Sequence, residues 1–264
     1  MRSINCLPLQ FLFLWLLFPA ETIALAQGGP PLQTDDPGTP GDGVWEINLA
    51  AAMEKRRGER ILEAPLVDVN YGVGETVQLK LEIPWIFHQR DGEGSRNGPG
   101  NSTLGVKWRF FEEDRHWVDV SLYPQVEFNN PTSSARRGIV DGGTELFLPF
   151  QFRKDFGRLS FNPEIGFAIL EESADEWVLG LAVGFEILAE VFELIGEIRD
   201  VASSDFKEGE LIFNLGCRWN IHRHLVLHGS AGRSFRPSSS GEPDLLAYLG
   251  VQLIFDTIKA HESK

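Results

Sequence analysis

The sequence predicts an all-β protein, a single transmembrane antiparallel up-and-down β-barrel of about twelve strands. Three observations predict it. Segments of about nine to thirteen residues alternate apolar and polar side chains with a period of two. The connections between them alternate between short and long, and aromatic residues gather at both ends of the apolar parity. Successive side chains of a strand point to opposite faces, so each segment has one apolar and one polar wall. Strands of that length exceed the usual five or six residues and suit a tilted crossing of a bilayer. A soluble sandwich would bury the apolar wall against a second sheet; the loop pattern and the aromatic ends favour turning it toward lipid.

The N-terminus reads as an export signal. Arg2 starts it, Leu7 to Phe18 form an apolar run, and Ala24-Leu25-Ala26 supplies small residues for a peptidase. The run is closed by Pro19 and Glu21, well short of the ~20 residues a spanning helix needs. Residues 1–26 are therefore expected to be a signal peptide cleaved after Ala26. Cys6 leaves with it, so the mature chain keeps Cys217 alone and has no internal disulfide. Residues 27–43 are rich in Pro, Gly and Asp and do not read as a strand. They fit either a plug folded into the lumen or a flexible leader in the periplasm. The adjacent Asp35 and Asp36 read as a solvated turn rather than a cation site.

The barrel is expected over residues 44–255. Trp45, Ile47 and Leu49 oppose Glu46 and Asn48; Val67, Val69 and Tyr71 oppose Asp68 and Asn70; Leu79, Leu81 and Ile83 oppose Lys80 and Glu82. From Trp117 to Asn129 one parity carries Val118, Val120, Leu122, Val126 and Phe128, and the other Asp119, Ser121, Gln125 and Glu127. The same alternation continues to Leu245–Phe255, with Ile195 as a break in it. Short connections are expected at residues 72–75, 112–116, 154–158, 188–190 and 220–224. Longer ones are expected at 54–62, 86–102, 129–143, 171–176, 200–210 and 234–242. Trp45, Tyr71, Phe110, Phe152, Trp219 and Phe255 fall at the short-turn end, and Trp85, Phe128 and Trp177 at the other. Residues 256–264 form a polar tail after the terminal aromatic. No run of eighteen apolar residues follows residue 26, which excludes a transmembrane helix in the mature chain.

Lysine and arginine number 24 against 38 aspartate and glutamate, a formal net charge of −14, which argues against nucleic acid as a partner. The polar parity would line the lumen with Glu46, Asp68, Glu82, Asp119, Glu127, Glu145, Glu164, Glu186, Glu193 and Glu197 against Lys80, Lys107, Arg109, Arg153, Arg199 and Arg218. Ten acids face six bases, so an open pore would favour cations. Two readings stay open: such a pore, or charges paired across strands in a filled interior. Gly180, Ala182 and Gly184 on the inner parity of the eighth strand would leave local space.

Catalytic and metal patterns are weak. His228-Gly229-Ser230, with Asn214 on the adjacent strand, resembles the His-x-Ser of outer-membrane phospholipases, yet both residues take the lumen parity, away from a lipid substrate. His222 and His224 flank a short turn without an evident third ligand. Glu54–Arg60 places basic residues on the first outer loop, facing lipopolysaccharide phosphates or simply solvent. The chain is read as neither an enzyme nor a cofactor protein.

The stretch Leu32–Ala50, LQTDDPGTPGDGVWEINLA, resembles the opening of a family of Gram-negative outer-membrane transporter-like barrels, the MetA-pathway phenol-degradation proteins. Tyr71–Trp85, Gly98–Phe111 and Leu245–Phe255 extend the resemblance over the mature chain. The resemblance implies a transporter or channel for small, hydrophobic or aromatic molecules. Its implied partners are outer-membrane lipid and lipopolysaccharide, the barrel-assembly machinery and a small-molecule solute. A closed structural or interaction barrel is the alternative. No site residue is carried over from the family.

Overall fold

A computed structural model describes residues 29–129, 133–206, 209–235 and 242–257; the expected signal peptide and the tail beyond Thr257 lie outside the described residues. Among those residues, fourteen strand segments form one antiparallel sheet. They are β1 (Val44–Arg56), β2 (Glu59–Val73), β3 (Val77–Arg90), β4 (Gly94–Pro99), β5 (Asn101–Phe111), β6 (Asp119–Leu122) and β7 (Gln125–Asn129). There follow β8 (Glu145–Phe156), β9 (Leu159–Leu170), β10 (Glu176–Leu188), β11 (Phe192–Ser203), β12 (Gly209–His222), β13 (Leu225–Ser234) and β14 (Leu245–Asp256).

β4 and β5 both pair with β3 and are one stave interrupted at Gly100. β6 and β7 both lie between β5 and β8 and are one stave interrupted at Tyr123 and Pro124. Fourteen segments less those two interruptions make twelve staves. β1 pairs with β14 from Val44–Asp256 to Lys55–Leu245, which closes the ring and leaves no free edge. No described helix is long and apolar enough to cross a membrane. In lipid a closed sheet is the other way to satisfy every backbone donor and acceptor.

The barrel is inside-out relative to a soluble fold. Leu79, Leu104, Trp108, Ile165, Leu179 and Leu215 are exposed on the outer wall, while Ser121, Gln151, Glu197 and Lys107 are buried within. Trp45 on β1 pairs with Tyr71 on β2 and with Phe255 on β14, a continuous aromatic band at the short-turn end. The Trp45 and Tyr71 ring centroids are 4.5 Å apart.

Three expectations about the strands are corrected. Residues 54–62 are not a loop, because β1 and β2 run on to a two-residue turn at Arg57 and Gly58. Residues 86–102 likewise continue as strand on both sides of a turn at 91–93. The unbroken strand from Trp117 to Asn129 is absent: Trp117 caps a short helix, α1 (Glu113–His116), in the left-handed conformation with φ 74°. The first correction has a physical cause. Ala50 pairs with Leu66 and Ala52 with Glu63, so Ala64 and Pro65 together face Ala51. This β-bulge shifts the alternation by one residue, which hides strand periodicity beyond it.

Candidate functional site: the occupied lumen

Residues 29–43 run through the barrel interior, and the wall is shaped to receive them. A Cβ on Gly180 of β10 would stand 2.3 Å from the Thr34 hydroxyl, and one on Gly72 of β2 would stand 1.8 Å from the Gly41 carbonyl oxygen. Glycine at these two positions permits the close approach; a side chain there would require the leader to shift. Leu32 packs against Ala182 of β10 and Ile195 of β11. Ile195, the residue that broke the sequence alternation, is the apolar seat of the leader. The local space expected at Gly180 and Ala182 is filled by the leader.

Polar contacts fix the segment on several staves. Glu197 of β11 accepts the backbone N–H groups of Gln33 (3.3 Å) and Thr34, and also the amide of Asn214 at 2.7 Å. Lys107 of β5 donates to Asp35 Oδ2 at 3.0 Å and to the Asp36 carbonyl at 2.6 Å, with its ammonium 4.6 Å from the Tyr123 ring centroid. Arg153 of β8 donates to Asp36 Oδ2 at 3.1 Å. Arg218 of β12 donates to the Gly29 and Pro30 carbonyls at 3.0 and 3.2 Å, and lies 3.4 Å from Glu193. Burial alone would raise the Asp36 carboxyl, but Arg153, Lys107 and Arg218 hold it below its ordinary value of 3.8. The expectation of a solvated turn at Asp35 and Asp36 is corrected: both are paired with interior cations because the leader lies inside.

The other inner charges lie in the interior and at both rims. Asp68 accepts the Asn48 and Asn70 amides at 3.0 and 3.1 Å and has Lys80 at 3.8 Å; Lys80 also meets Glu82 at 2.8 Å. Nearby, Glu46 accepts from Gln252 at 3.4 Å. Glu164 accepts from Gln151 at 3.1 Å and from the Asp35 N–H at 3.5 Å. Arg109 donates to the Glu75 carbonyl at 2.8 Å and Asp119 accepts from the Glu113 N–H at 2.8 Å, both at the short-turn rim. At the opposite rim Glu127 accepts from Asn101 at 2.8 Å and pairs in register with Glu145. Arg199 stands 6.0 Å from the Phe147 ring, and Glu186 is half-buried near the short-turn end. What remains open is uneven. Between the leader and β1–β3 a void of about 20 Å³ is left, room for roughly one water. On the long-loop side of the leader a cavity of about 260 Å³ opens.

Glu63, Tyr248 and Leu246 line that cavity; Tyr248 falls on the inner parity that the alternation predicts, whereas Glu63 and Leu246 were not identified from sequence. Extrapolating the alternation from Val67 and Val69 turns Glu63 toward lipid; the bulge at Ala64–Pro65 turns it inward. The His228–Ser230–Asn214 arrangement does not assemble: the Ser230 hydroxyl donates to the Pro31 carbonyl at 2.6 Å and the Asn214 amide to Glu197. His224 Nδ1 is bonded to the Ile254 carbonyl at 2.9 Å. Among the described residues no group of three or more His, Cys, Asp or Glu could hold a metal ion. The Glu54–Arg60 cluster is a hairpin whose Arg56 pairs with Glu54 and, at 3.1 Å, with Glu210.

No protein-family model and no curated protein matches the chain. Solved structures do. An outer-membrane channel from Pseudomonas putida F1 superposes with a TM-score of 0.65 at 11% identity, over 81% of this chain and 96% of that one. The NanC porin gives 0.56 at 8% identity over 80% and 100% of the two chains. The KdgM porin, solved in complex with disordered oligogalacturonate, gives 0.56 at 9% identity over 80% and 99%. At these identities the likeness is one of fold.

Proposed function

We propose that the chain is an outer-membrane channel for small solutes in which residues 29–43 form a displaceable plug. The observation that carries this reading is the leader itself, a non-strand segment inside a closed barrel, held by side-chain and carbonyl contacts until Gly43 joins the backbone hydrogen bonding beside β1. A purely structural barrel could fill its interior with wall side chains alone; here Gly72 and Gly180 of the wall leave room for a separate segment. The outward apolar face, the channel and porin folds it resembles, and the export signal expected at residues 1–26 together support a Gram-negative outer-membrane location. The assembly machinery and lipopolysaccharide would then be its partners, with the short turns and both barrel ends on the periplasmic side. Likeness to the phenol-degradation family points to small apolar or aromatic solutes.

Single-channel recording on the full chain and on a variant lacking residues 29–41, with the export signal retained, tests the proposal. The intact protein is expected to conduct weakly. The variant is expected to conduct several-fold more, with cations preferred because acids outnumber bases among the inward residues. Stable insertion of both forms with no current from either would leave the closed structural barrel as the answer.

A further inference from the structure

The 260 Å³ cavity is a built site. Its floor is the leader at Pro31, Leu32 and Gln33, and its walls come from β1, β2, β12, β13 and β14. Leu32, Ala52, Met53, Ile61 and Leu246 make most of the wall apolar. Of the polar side chains facing it, Glu54 is paired with Arg56 and Ser230 donates to the Pro31 carbonyl, while groups on Glu63, Asn214 and Tyr248 stay open. Glu63 has no hydrogen-bond donor or cation on it among the described residues, and the charges acting on it are those of Glu82, Glu127 and Glu54, all acidic. Asn214, 3% exposed, lines the cavity with its carbonyl oxygen unpartnered, and the Tyr248 hydroxyl is unpartnered as well. Elsewhere in the lumen Asp36 has Arg153, Asp68 has Lys80 and Glu193 has Arg218, while Glu46, Glu164 and Glu197 have no cation but accept side-chain amide or backbone N–H groups. Glu63 is half-buried and, among the described residues, has neither a cation nor an N–H donor on it, so beside an apolar cavity its carboxylate lacks both forms of compensation.

We propose that this cavity binds a small amphipathic amine, its ammonium on Glu63 with Asn214 and Tyr248 as further hydrogen-bond partners, and its apolar body on Leu32, Met53 and Leu246. The volume falls just under the ~300 Å³ at which ligand pockets begin, so the occupant is small, one ring with a short arm. Anions are excluded by the absence of any basic side chain in the lining. The proposal rests on the channel reading for its biological sense, since the site would hold a solute above the plug, but its chemistry stands on the cavity alone.

The test is calorimetric titration of the detergent-solubilised full chain with 2-phenylethylamine as its ammonium ion, with phenylacetate as the anionic match. The amine is expected to bind one to one and phenylacetate at least tenfold more weakly. Glu63→Gln is expected to weaken the amine at least tenfold. Leu246→Trp, which fills the apolar end while sparing the acid, is expected to abolish binding, and heat-shifted migration in detergent gels verifies that both variants fold. Equal binding of amine and acid, full retention of amine affinity in folded Glu63→Gln, or no amine binding at all each overturns the site. The conductance gain on leader deletion is a separate readout. That gain without amine binding removes the site and keeps the channel; amine binding without conductance does the reverse.

Discussion

The two sides of the leader differ in what their charges face. Below it and along it, Lys107, Arg153 and Arg218 each hold a leader group, and only about 20 Å³ stays empty. Above it, Glu63 looks into a cavity more than ten times larger with no cation beside it. Both regions draw on β1, β2 and β14 of the wall. The difference is that the leader brings charged and carbonyl partners to one side and presents only Pro31, Leu32 and Gln33 to the other. Charge in this lumen therefore falls into pairs that hold the leader, such as Arg153 with Asp36, pairs within the wall, such as Lys80 with Glu82, and Glu63, which has no partner among the described residues.

Removing a plug-holding charge should have the larger consequence. Lys107→Met leaves Asp35 without its ion pair and the Asp36 carbonyl without its donor. Breaking one side of a buried pair costs about 3 kcal/mol. The leader should loosen, so single-channel traces of Lys107→Met are expected to flicker toward the current of the leaderless form, and urea unfolding in vesicles should shift to lower midpoint. Wild-type traces would put Lys107 outside the plug's support. A smaller effect comes from acid. Asp36 titrates below its ordinary value, so its share of leader docking is fully present above pH 3.8 and is lost as the pH falls through the lowered value. Conductance of the intact protein should stay flat from about pH 7 to 5 and rise only below about pH 4. The smallest effect belongs to the other region. Glu63→Gln removes no partnered charge, so the same urea midpoint should move by no more than ~0.5 kcal/mol equivalent. A loss as large as that of Lys107→Met would show that Glu63 is paired after all and erase the contrast.

The wall was legible in the sequence and the interior was not, for a physical reason. Facing lipid demands only apolarity, so Leu79, Leu81 and Ile83 announce their side of β3 by type and spacing alone. The inner parity reads as polar, but which charge meets which depends on a segment whose path has no periodicity. Asp35 and Asp36 look like any acidic turn until Lys107 and Arg153 are brought to them across the barrel. Ile195 was the visible clue, an apolar residue on the polar side that makes sense only with Leu32 against it. Glu63 was hidden differently, because one extra residue at the β2 bulge inverts the alternation that would have assigned it.

Whether the leader truly lies inside is most directly settled by a disulfide between positions 34 and 180. A Cβ on residue 180 would stand 3.1 Å from the Thr34 Cβ, close enough for a bridge after slight relaxation. With Cys217→Ser as background, the double substitution Thr34→Cys/Gly180→Cys is expected to cross-link under mild oxidant, detected as a linked peptide by mass spectrometry. A free thiol at position 34 that reacts fully with a maleimide too bulky to enter the barrel would place the leader outside and contradict the plug.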